Sequence, residues 1–115
     1  MLVVAAPEGL DPQELDALSA TSVLISWKEP QFPNGVILWY LLERRRRGDD
    51  LTVLVHTLSP DDVRSFVDDD VILRPFTVYE YRMTAETEAG ASSSAWQRVT
   101  TKSSREYACN ACAGH

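Results

Sequence analysis

The chain has 115 residues, room for one domain with one hydrophobic core and no need of disulfide or metal staples. It carries 11 Lys and Arg against 17 Asp and Glu, a net charge of −6, which argues against the broad positive surface of a nucleic-acid binder. No apolar stretch approaches the length that spans a bilayer.

The opening "MLVVAAPEGL" has a short apolar run and no basic lead, so it does not read as a signal peptide. Residues 1–5 are expected to be an extension cut from a longer chain. A frayed strand is expected around Leu10 to Leu18. In "ALSATSVLISWKEP", Val23, Ile25 and Trp27 fall on one face and Leu24, Ser26 and Lys28 on the other. Period two with β-branched residues predicts a half-buried strand. "EPQFPNG", with two prolines and Asn34-Gly35, predicts a loop. "VILWYLLERRRR" is a long strand candidate that stops at Gly48-Asp49-Asp50, a turn signal.

"LTVLVHTL" is the next β-rich run, closed by Ser59-Pro60, and "RSFVD" is a short one. "TVYEYRMTAET" alternates again, with Tyr79, Tyr81, Met83 and Ala85 opposed to Val78, Glu80, Arg82 and Thr84. "EAGASSS" reads as a loop and "WQRVTT" as a last short strand. About seven strands with regular turn signals predict an all-β fold, a seven-stranded antiparallel β-sandwich of the immunoglobulin-like kind. The domain is expected over residues 6–102, and residues 103–115 are expected to be a disordered tail or linker.

At the level of motifs the chain resembles a fibronectin type III domain. "APEGL" stands where that family opens its first strand, and "SVLISWKEP" carries the second-strand tryptophan, Trp27. "PNGVILWYLLERR" resembles the third strand, with Tyr40 and Leu42. "LRPFTVYEYRMTAETEAG" matches the most specific stretch through Leu73, Pro75, Thr77, Tyr79, Tyr81, Ala85 and Gly90. "SSSAWQRVTT" resembles the final strand. Several of these segments are similar to the tandem repeats of a long ectodomain protein of sensory cells. The resemblance implies a structural core of Trp27, Tyr40, Leu73, Tyr79 and Tyr81, with Tyr79 as a tyrosine corner bonded to nearby backbone. It implies a non-catalytic structural and protein-binding module, one repeat of an extracellular adhesion or receptor-type chain at the cell surface. Its partners would be other proteins, neighbouring repeats included, with no nucleic acid and no membrane insertion, and the isolated domain would be monomeric. Two other readings stay open: an adhesion ligand for integrins, and a repeat of an intracellular cytoskeletal or muscle protein.

Catalysis has little to work with. A nucleophile needs a base and an orienting group, and the one histidine before the tail, His56, stands alone in a strand run. There is no phosphate-binding glycine loop and no H-E-x-x-H. An enzyme is not expected, nor is a cofactor. Asp61-Asp62 and Asp68-Asp69-Asp70 could suggest calcium, but a strand separates them by roughly 15 Å or more, too far for a converging oxygen shell. They read as solvated charge. Cys109 and Cys112 with His115 offer three zinc ligands on a tail, one short of a structural site. They read as tail thiols, either paired between chains or belonging to the next unit of a longer protein, and no metal is expected.

What remains is surface. If Tyr40 and Leu42 point inward, strand parity sends Trp39 and Leu41 outward, beside Glu80, Arg82 and Thr84. Residues 52, 54 and 56, or 53, 55 and 57, would join that face. Trp39, Leu41 and Arg82 are therefore the candidate protein-contact residues. The competing reading is that an arginine stem covers the Trp39 indole. The run "ERRRRGDD" (residues 43–50) ends the same strand. Arg44 is expected to turn its guanidinium out to water, and the basic run to pair weakly with Asp49, Asp50, Asp61 and Asp62. Arg47, Gly48 and Asp49 spell the integrin-binding tripeptide. Gly48 alone is also accounted for by a turn that needs positive φ.

Overall fold

The computed structural model describes residues 6–49, 51–61 and 63–103. The expectations for residues 1–5, Asp50, Asp62 and the tail with Cys109, Cys112 and His115 concern residues outside these. The described residues form eight strand segments: β1 (Glu14–Ser19), β2 (Ser22–Ser26), β3 (Trp39–Arg46), β4 (Thr52–Leu58), β5 (Ser65–Asp68), β6 (Val78–Thr87), β7 (Gly90–Ser93) and β8 (Gln97–Thr100). A small sheet runs β1-β2-β5 and a larger one β4-β3-β6-β7, with β8 also on β6. Every strand pairing is antiparallel.

Eight segments occupy seven strand positions. β7 pairs with residues 84–87 of β6 and β8 with residues 78–81, so the two are halves of one edge strand. Ser94 interrupts it: its Oγ accepts the Met83 N–H at 3.1 Å and its own N–H donates to the Met83 carbonyl at 2.8 Å. The stretch "EAGASSS", expected as loop, thus contains β7. Its small residues carry no hydrophobic alternation, and what makes them a strand is backbone pairing to β6. The N-terminal strand begins at Glu14 rather than near Leu10.

The inner faces close on one another. Val23 and Ile25 of β2, Tyr40 and Leu42 of β3, and Tyr79, Tyr81, Met83 and Ala85 of β6 form the core with Trp27, Leu58 and Leu73. Trp27 and Tyr40 meet across it at 5.9 Å between ring centroids, tilted by 58°, a favourable aromatic geometry. Tyr79 turns its ring inward, and its hydroxyl accepts the Arg74 N–H at 2.9 Å. That bond ties the β5–β6 connection to the start of β6. At the far end, Glu8 and Phe32 exchange two backbone bonds of 2.8 and 2.9 Å. Gly9 (φ +74°) lies so close to Gln31 that a Cβ on it would sit 2.6 Å from the Gln31 Cβ.

Candidate protein-contact face

β3 and β6 lie side by side in a register that pairs Trp39 with Glu86, Leu41 with Thr84, Glu43 with Arg82 and Arg45 with Glu80. Since successive side chains alternate faces, all eight are on the outer surface of the large sheet. Three of the four pairs bond directly across the strands. Trp39 Nε1 donates to Glu86 Oε1 at 2.6 Å. Arg82 Nη2 reaches Glu43 Oε1 at 2.7 Å, and Arg45 Nε donates to Glu80 Oε1 at 2.7 Å. The fourth pair differs: Thr84 is buried, its hydroxyl 2.6 Å from that of Ser93 on β7.

Arginine stacking does occur on this face, but on Trp96 rather than Trp39. The guanidinium carbons of Arg45 and Arg82 lie 4.0 and 4.6 Å from the Trp96 ring centre, within cation–π range. Trp39 stays 44% exposed and Leu41 is half-buried. Trp96 reaches this position because the interrupted edge strand, residues 94–96, turns its side chain over β6. The sequence pattern puts Trp96 at the head of the strand "WQRVTT", but β8 begins only at Gln97, and strand parity does not apply to Trp96 in the interruption before it.

β4 corrects the expected periodicity. The register shifts between Leu42 and Glu43, leaving Val55 without a partner. Thr57 stands opposite Leu41, but Leu54 and Thr52 stand opposite Glu43 and Arg45. The bulge places Thr52, Leu54 and Thr57 on the outer side, so neither expected alternate set holds. His56 stacks on Phe66 of β5 at 4.9 Å, closing the seam between the sheets.

Arg44 is a second correction. Its guanidinium does not reach water. Arg44 and Asp68 are each 2% exposed, and Nη1 lies 2.6 Å from Asp68 Oδ2. The Tyr81 hydroxyl donates to the same oxygen at 2.7 Å. Arg44 projects inward from β3, and β5, across the sandwich, supplies the carboxylate. Burial by itself lowers the Arg44 pKa, but the hydrogen bond and charge of Asp68 outweigh it, leaving the group raised. Burial first, then Asp68, raises Tyr81 far above the ordinary phenol value. Asp68 is therefore a buried ion-pair partner, not solvated charge. Asp70 is more exposed and reaches Arg44 Nη2 at 3.4 Å.

Structure thus divides the arginine run. Arg44 is internal and Arg45 belongs to the outer face. Arg46 and Arg47 are exposed and make no ion pair among the described residues. Among the described residues the expected partners Asp49 and Asp61 take no ion pair; the pairs there go to Asp68, Asp70, Glu80, Glu29 and Glu43. At the tripeptide, Gly48 has φ +84°, the Arg47 N–H donates to the Val78 carbonyl at 3.0 Å, and Asp49 Oδ1 accepts the Leu51 N–H at 3.1 Å. Among the described residues no cluster of His, Cys, Asp and Glu could hold a metal ion.

Comparison with known proteins agrees with this architecture. The family model for the fibronectin type III domain matches residues 7–102. Human usherin is 42% identical over 101 residues, a match covering 87% of this chain and 2% of usherin. Mouse protein sidekick-2 is 34% identical over 87 residues, covering 75% of this chain and 4% of that protein. The solved sixth fibronectin type III domain of human fibronectin type III domain containing protein 3 superposes with a TM-score of 0.74 at 23% identity, covering 87% of this chain and 90% of that one. The chain spans a few hundredths of the length of these curated relatives.

Proposed function

The chain belongs to the fibronectin type III family, and on that premise we propose that it is a non-catalytic spacing and protein-binding module, one repeat of a long tandem chain outside the cell. The observation that carries this reading is 42% identity over 87% of the chain to a protein of which the match spans 2%. That is the relation of one repeat to a many-module chain. The domain limits proposed are residues 6–102. Protein contact is assigned to the outer face of the large sheet, where Trp39, Leu41 and Leu54 stand among bonded Glu–Arg pairs. An exposed tryptophan beside aliphatic side chains is the composition of a binding hot spot.

The test uses the full-length parent chain with an epitope inserted in the exposed β1–β2 turn at Thr21. Antibody labelling of intact cells supports the ectodomain reading. Labelling only after permeabilisation returns the protein to the intracellular cytoskeletal class.

A further inference from the structure

Exposed apolar residues outside the strands lie at the two ends of the domain. The exit pole holds the β1–β2, β3–β4 and β5–β6 connections. The chain leaves there: the Lys102 N–H donates to the Ser19 carbonyl at 3.2 Å, and the Phe76 N–H donates to the Lys102 carbonyl at 3.0 Å. Leu51, Val71, Ile72 and Phe76 are 66%, 95%, 56% and 77% exposed at this pole. Phe76 has φ +49°, a left-handed conformation that is costly for a bulky residue and tends to mark contact sites. Arg46, Arg47, Arg74 and Lys102 are exposed around it, and their side chains make no ion pair among the described residues. Asp49, Asp69 and Asp70 share the pole.

The entry pole, where Glu8 bridges to Phe32, has the complementary chemistry. Phe32, Val36 and Val63 are exposed there. The exposed carboxylates Glu8, Glu29, Asp61 and Glu88 outnumber the cations Lys28 and Arg64, and Arg64 already reaches Glu29 at 3.5 Å.

We infer that the exit pole, centred on Ile72, Phe76 and Arg47, is a docking surface for the entry pole of the next module of this kind in the chain. This rests on the tandem-repeat reading above. Apolar rims press together, and the exposed cations of one module meet the carboxylates of the next. The contact is head-to-tail, so it propagates along a chain rather than closing into a dimer. A second copy of this chain has the required entry pole.

The experiment is a two-copy tandem of the full 115-residue chain, with each copy isotopically labelled in turn. A flexible link holds the copies at an effective concentration in the millimolar range. Relative to the single chain, amides of Arg47, Ile72 and Phe76 should shift in the first copy, and those of Glu8, Phe32 and Glu88 in the second. The two copies should tumble together, less so as salt rises from about 0.05 to 0.5 M. Ile72→Ser with Phe76→Ser in the first copy should release them while its own spectrum stays folded. If that variant unfolds, Glu8→Lys with Glu88→Lys in the second copy is read instead. Independent tumbling of the unaltered tandem overturns the proposal, and so does coupling that survives the substitutions. Saturable binding of a sulfated polysaccharide at Arg46, Arg47 and Arg74, without coupling of the copies, overturns it too. Failure here leaves the spacing role standing, because a flexible string of modules still spaces. That role fails on the epitope experiment.

Discussion

Arg44 on β3 and Asp68 on β5 join the two sheets through the core, 2.6 Å apart and each 2% exposed. Asp68 also receives the Tyr81 hydroxyl and, at 3.3 Å, the Asp70 N–H. Removing one member of such a pair strands an uncompensated charge. Asp68→Asn should therefore cost about 3–5 kcal/mol, measured as the shift in urea midpoint at constant slope. A loss near the ~0–1 kcal/mol of a surface pair would show that the site is hydrated. Replacing Arg44, Asp68 and Tyr81 together by Met, Leu and Phe should recover most of the loss.

Tyr81 makes stability depend on pH on the alkaline side. Its folded pKa is raised from 10.0 by burial and by Asp68. The unfolded chain therefore releases this proton at lower pH than the folded one. Its contribution is full below about pH 10 and is lost as pH rises from there toward the folded value. Tyr40 is raised too, by burial and then by Glu29, and adds with the same sign. Denaturation midpoints taken on either side of pH 10 should fall less steeply for Tyr81→Phe than for the unaltered protein. An unchanged slope would place the effect on other groups.

The corner at Tyr79 rests on a single hydroxyl, which accepts the Arg74 N–H. Tyr79→Phe keeps the ring and removes the acceptor, and is expected to cost about 1 kcal/mol. Trp27→Ala, which empties the centre of the core, should cost roughly 3–5 kcal/mol. Equal losses from the two in thermal unfolding would argue against this division between bond and packing.

The Arg47-Gly48-Asp49 turn is expected to behave as turn chemistry. Nothing lies within 4 Å of a Cβ built on Gly48, so Gly48→Ala should cost about 1–2 kcal/mol through its positive φ alone. Asp49 is already engaged by the Leu51 N–H. Cells plated on immobilised domain with divalent cation should not adhere. Adhesion abolished by Asp49→Glu would assign the tripeptide an integrin-binding role.

Period-two alternation in "SVLISW" and "TVYEYRMTAET" was enough to determine the strands, because a strand buried on one face writes that face into every second residue. Proline, glycine and asparagine marked the turns for an equally local reason. Other features depend on residues far apart in sequence. Parity carried Arg44 inward, but only the crossing of β5 beneath β3 brought Asp68, 24 positions away, to hold the charge there. The bulge at Val55 shifted the outer face of β4, and pattern could not show it because its cause is pairing with β3. Trp96 meets Arg45 and Arg82 through an interruption in an edge strand whose own residues have no periodicity. Local chemistry determines which residues can be strand or turn. Which side chains meet is decided by register and by the stacking of two sheets, and these exist only once the chain is folded.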